Sequence, residues 1–141
     1  MYWMTLPLKR YADFSGRSPR IEYWMFYLFQ ILIMVGISVL AAVFIAVTGN
    51  TTAPDEPVSP MTNIAALLII VAGLALIIPG IAVSVRRMHD QDKSGWMLLL
   101  ALIPIVGGIM VFVFTLLPGT QGPNRYGDDP HGPQGLQETF R

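Results

Sequence analysis

The stretch that decides how this chain is built is Arg86-Arg87-Met88-His89-Asp90-Gln91-Asp92-Lys93-Ser94-Gly95-Trp96. Arg86, Arg87, His89, Asp90, Asp92 and Lys93 are charged or titratable, and Trp96 is an aromatic of the kind that settles at headgroup depth. Residues 57–85 before this island and 94–124 after it carry no charge at all. So dense a polar cluster between two apolar runs belongs where hydrocarbon meets water, which makes a membrane surface the organising plane of the chain.

Working outward, residues 23–54 form a third uncharged run. Each of the three exceeds the roughly 20 residues that a helix needs to cross about 30 Å of hydrocarbon. Charged residues make up 13% of the chain, against about 25% in a soluble domain, and a soluble helix would need a polar face to meet water. Formal net charge is zero, so no global field points to nucleic acid. The absence of cysteine removes disulfides, thiolate catalysis and cysteine-ligated metal. The first apolar run begins late and is longer than a cleavable signal's core, so it reads as a retained anchor.

In chain order, residues 1–22 are an aromatic-rich preface. Leu8, Tyr11 and Ala12 would share one helical face, which fits a short interfacial helix as well as it fits a loose tail. Ser18-Pro19 is a sound helix start, a serine cap followed by proline, and Glu22 suits the positive end of the helix dipole. The first span is placed at 23–47, with Gln30 as a helix–helix hydrogen-bonding residue. Residues 48–62, with three prolines, two acids and no Lys or Arg, form an external loop; Asn50-Thr51-Thr52 is a sequon that matters only in a eukaryotic secretory route. The second span is 63–85, with small residues for close helix contact and a kink expected at Pro79.

Residues 86–95 then form a cytoplasmic loop, and Ser94 can cap a third apolar segment, 96–117. Pro104 and the pair Gly107-Gly108 interrupt that segment, so it is either one kinked span or two half-helices in a re-entrant hairpin. Its unbroken hydrophobicity favours the kinked span. Residues 118–141 are a polar tail with five glycines and four prolines. The expected architecture is a single all-α integral membrane domain, 1–141, of three transmembrane helices with an amino-terminal interfacial segment. Lys and Arg number four in the amino-terminal segment, none in 48–62, three in 86–95 and two in the tail. That asymmetry puts the amino terminus inside; a full third crossing puts the tail outside, whereas a re-entrant segment returns it beside the arginines.

Three motifs line up in order between the apolar runs: Phe14-Ser-Gly-Arg-Ser-Pro-Arg-Ile-Glu-Tyr-Trp24, the Arg86–Trp96 island, and Pro118-Gly-Thr-Gln-Gly-Pro-Asn-Arg-Tyr-Gly-Asp-Asp-Pro130. Together they resemble the YhaH-like family of small bacterial inner-membrane proteins, the domain of unknown function eight hundred and five, from about Tyr11 to Pro130. Met88 stands where that family commonly has leucine, and Gln91-Asp92-Lys93 where a glycine-bearing turn is common. The resemblance implies a multi-pass protein of the bacterial inner (plasma) membrane. It brings no established activity.

The arginines admit two readings. They can fix topology and snorkel to the interface, with Arg86 and Asp90 paired four residues apart. Alternatively, Arg17, Arg20, Arg86, Arg87, His89, Asp90 and Asn124 form a site for anionic phospholipid head groups. On either reading the protein is non-enzymatic, needs no cofactor, and has the bilayer, further copies of itself or other membrane proteins as partners. A metal-dependent enzyme would instead use His89, Asp90 and Asp92, joined by Asp128, Asp129 and His131 if the tail folds back. A subunit of a transport assembly has little support, since no charge lies inside any span.

Overall fold

The computed structural model describes residues 2–47, 60–130 and 132. The expected loop over 48–59, its sequon, and His131 lie outside the described residues. The elements are α1 (Tyr2–Lys9), α2 (Arg20–Val47), α3 (Pro60–His89), a 3-10 helix (Gly95–Leu102) and α4 (Val106–Leu116). The chain divides into two compact units, Met1–Tyr27 with Ile78–Arg141, and Leu28–Ile77.

The two long helices, α2 and α3, are apolar in every direction. Within their most apolar stretches none of α2 and 11% of α3 is buried. A core helix of a soluble protein would be covered, and apolar surface of this extent is not stable against water. Both helices are long enough to cross a bilayer. The charges they carry sit at one end of each: Arg20 and Glu22 in the first turn of α2, and Arg86, Arg87 and His89 in the last turn of α3.

In the Leu28–Ile77 unit the two helices run antiparallel. Gln30 Nε2 donates to the Leu76 carbonyl at 2.9 Å, and the Met34 methyl is 3.9 Å from where a Cβ of Gly73 would be. The hydrogen bond expected of Gln30 is therefore made. Pro79, in the other unit, stays buried inside a continuous α3; proline cannot donate to the carbonyl four residues back.

Residues 96–117 are not one continuous helix. Ser94 caps the start, its Oγ accepting from the Trp96 N–H, but the 3-10 helix ends at Leu102. Ile105 then adopts φ 65°, ψ −64°, and the Val106 N–H donates to the Pro104 carbonyl at 2.7 Å. That is a γ-turn of the rare positive-φ kind. α4 starts at Val106 and packs back on the 3-10 helix, so closely that a Cβ on Gly107 would overlap the Leu100 carbonyl. The single kinked helix expected here thus gives way to two half-helices. Proline, a positive φ and a glycine at the crossing outweigh uniform hydrophobicity, which says where a segment resides but not whether it turns.

The amino-terminal helix exists, but at Tyr2–Lys9, so Tyr11 and Ala12 fall outside it. Ser18 does not cap α2: its N–H donates to the Arg86 carbonyl at 3.1 Å, and its Oγ is buried without a hydrogen-bond partner among the described residues. α2 begins at Arg20, so the residue before its first turn is Pro19 and not Ser18.

Candidate functional site

The site grows from the end of α3. The Asp92 N–H donates to the His89 carbonyl at 2.9 Å and the Lys93 N–H to the Met88 carbonyl at 3.0 Å. Asp92 sits between them at φ 56°. This is a Schellman ending, the closed turn that satisfies the last carbonyls of a helix. It tips Asp90 and Gln91 inward, where both are buried.

Asp90 is the hub. Its carboxylate takes the Arg17 Nε at 3.0 Å and also pairs with Arg87, all three side chains being 2% exposed or less. The expected pairing of Arg86 with Asp90 is not made, because Arg86 turns to the other helix and meets the buried Glu22 carboxylate at 3.0 Å. Its Nη1 donates to the Asp13 carbonyl at 3.2 Å, while Nε is left without a partner among the described residues. Two carboxylates thus serve three buried guanidinium groups. Apart from their ion pairs, these guanidinium groups donate to backbone carbonyls, Arg86 Nε excepted, as buried polar groups favour.

Those carbonyls explain the arrangement. A helix leaves its last carbonyls without intrahelical partners and carries partial negative charge at that end. The last carbonyls of α4 are taken by Arg87, which donates to Thr115 at 3.3 Å and also to Leu117, by Gln91 at Phe114, and by Arg20 Nε at Leu117, 3.0 Å. The arginines therefore terminate a half-helix that would otherwise end with bare carbonyls in an apolar setting. Lys93 adds its ammonium 4.7 Å from the Phe114 ring.

The tail is held by the same groups. Arg17 Nη1 donates to the Gly122 carbonyl at 2.6 Å and Nη2 to that of Thr120 at 2.5 Å. The Thr120 N–H donates in turn to the Asp90 carbonyl at 2.8 Å. A Cβ on Gly119 would overlap the Asp90 carboxylate; only glycine admits this approach. Asn124 Nδ2 donates to the His89 carbonyl at 2.9 Å, and the Asn124–Gly127 backbone closes a tight turn on itself. The Tyr126 ring stacks on His89 with centroids 3.8 Å apart, and Arg125 pairs with Asp92 at 3.0 Å on the surface.

Of the residues singled out in the sequence, Arg17, Arg86, Arg87, His89, Asp90 and Asn124 come together, with Arg20 exposed at the edge. His89, Asp90 and Asp92 do not share a ligand position: one stacks on Tyr126, the second lies between two guanidinium groups, the third faces Arg125. No group of three acidic, histidine or cysteine side chains among the described residues could hold a metal ion. Sequence reasoning missed Glu22 as the partner of Arg86, Thr115 and Gln91 in closing α4, and Gly119 as the contact for Asp90. A lone acid beside a proline start and a Pro-Gly pair were the available signals.

Two long helices whose most apolar stretches are almost uncovered, with their charges confined to one end of each, fit an integral membrane protein of the helical class. The chain belongs to the family described as "Protein of unknown function (DUF805)", which matches residues 11–128. It is similar to the inner membrane protein YhaH of Escherichia coli K12, 37% identical over 92% of this chain and 97% of the relative. It is likewise similar to the inner membrane protein YhaI of the same organism, 35% identical over 92% of this chain and 96% of that one. No solved structure matches. These relatives make the chain an inner-membrane protein of a family whose activity is unassigned.

Proposed function

We propose that the chain is a multi-pass inner-membrane protein with α2 and α3 as full spans and 96–117 as a re-entrant hairpin. The amino terminus and the tail then share the cytoplasmic face, and the protein acts there as a non-enzymatic structural or interaction module. The observation that carries this reading is the grip of Arg17 on the Thr120 and Gly122 carbonyls. A single crossing would put about 30 Å of hydrocarbon between those groups. The returned tail also puts Arg125 on the face of the seven Lys and Arg of the amino-terminal segment and residues 86–95, the distribution that sets orientation in bacterial membranes.

On this reading Arg17, Arg86 and Arg87 act as clasps, because their donors go to Glu22, Asp90 and carbonyls of the same chain. Contact with anionic phospholipid, expected across the whole cluster, is proposed for its exposed member Arg20. Reporters fused after Arg141 test the topology. A reporter active only in the cytoplasm gives signal, and one active only outside stays silent; the reverse pattern overturns the re-entrant reading.

A further inference from the structure

A groove of about 540 Å³ lies between α1, the 10–19 connection and the 126–130 turn of the tail. Arg17 and Glu22 of the buried network also line it, but both are already ion-paired, with Asp90 and Arg86. Its α1 wall carries Tyr2 and Trp3, whose rings meet edge to face at 5.5 Å. Asp128, on the 126–130 turn, also lines it and is exposed, with no ion pair or hydrogen bond among the described residues. Arg10 lines the groove as well. Its Nε and Nη2 are committed to Asp13 and Ser15, leaving Nη1 as its one uncommitted nitrogen.

Asp129 also lines the groove, but its Oδ2 accepts from the Gly122 N–H at 2.9 Å, so the groups left uncommitted are the Asp128 carboxylate and one end of the Arg10 guanidinium, beside two aromatic side chains. An anionic headgroup answers only the guanidinium. An ammonium answers the carboxylate and suits aromatic faces, while a phosphate suits arginine. We propose that the groove takes a zwitterionic phospholipid headgroup of the phosphoethanolamine kind, its ammonium toward Asp128, Tyr2 and Trp3 and its phosphate toward Arg10. The lipid source follows from position, since the groove opens next to Pro19 at the start of α2 and aromatic side chains favour headgroup depth. The inference rests on the topological reading for that depth alone.

The test uses the full chain in a neutral detergent, with retained lipid read by native mass spectrometry. Offered phosphatidylethanolamine and phosphatidylglycerol together, the protein retains the former by about fivefold over the latter. Asp128→Asn removes that preference, and Trp3→Ala, on α1, does the same. Both variants are checked by thermal unfolding, and Asp128 is outside the buried network, so the fold is kept. Equal retention of the two lipids, or a preference that survives Asp128→Asn, overturns the proposal. Free phosphoethanolamine bound as tightly as the lipid overturns the lipid assignment. Because retention in detergent is blind to sidedness, its failure beside a cytoplasmic tail reporter counts against the groove and not against the topology.

Discussion

Arg17 and Asp90, 73 residues apart in sequence, form a buried ion pair with Nε and Oδ1 3.0 Å apart. Around that pair the amino-terminal connection, the end of α3 and the tail become one structure. Taking one partner from a buried ion pair leaves an uncompensated charge and costs about 3–5 kcal/mol. Asp90→Asn strips the carboxylate from both Arg17 and Arg87, so thermal unfolding in detergent is expected to drop by an amount in that range. Asp92→Asn is the control. Arg125 and Asp92 are 63% and 43% exposed in that pair, so its loss is expected to leave thermal unfolding nearly unchanged.

The neighbouring glycines of the hairpin make a second test. A methyl group on Gly107 collides with the Leu100 carbonyl, whereas one on Gly108 meets nothing within 4 Å. Gly107→Ala is expected to prevent the two half-helices from packing and to cut the yield of folded protein. Gly108→Ala is expected to be tolerated, with a gain of up to about 1 kcal/mol from helix propensity. Equal behaviour of the two variants would mean that α4 does not pack on the 3-10 helix.

Ile105 holds a positive φ that a β-branched side chain strongly disfavours, and its side chain is 83% exposed. Little packing is lost on truncation there, so relief of strain dominates. Ile105→Gly is expected to raise thermal stability by roughly 0.5–1 kcal/mol, after allowance for the greater freedom of glycine in the unfolded chain. Ile105→Val, which keeps the branching, is expected to leave it unchanged.

Asp13 gives a pH-dependent test outside the spans. The Ser15 hydroxyl lowers its pKa from 3.8 to about 2, working against partial burial and joined by Arg10. Since the folded value lies below the unfolded one, this contribution to stability is fully present above about pH 4. It is lost as the pH falls toward 2. Ser15→Ala is expected to move the carboxyl midpoint, followed by NMR, back toward 3.8.

Much of the plan is legible in the sequence because segregation of charge speaks directly about solvent. The uncharged runs 23–54 and 57–85 place α2 and α3, Gln30 finds the partner its polarity demands, and Ser94 caps where a serine should. What escapes is tertiary. Nothing local says that Arg86 will pass over Asp90 for Glu22, 64 residues away, or that Gln91 will close α4. Pro104 and Gly107 mark the break between the 3-10 helix and α4, to which hydropathy is blind. The hold of Arg17 on the Thr120 and Gly122 carbonyls is likewise tertiary, and no count of the tail's charges reports it.

The central claim is that the tail returns to the face that holds the amino terminus. With no native cysteine in the chain, single cysteines at Lys9, Asp55 and Gln121 can be labelled in intact cells with an impermeant thiol reagent. The account predicts that Asp55→Cys labels at once, while Lys9→Cys and Gln121→Cys label only after the membrane is permeabilised. Labelling of Gln121→Cys in intact cells with Lys9→Cys still protected would contradict it, because Arg17 could then not reach Thr120.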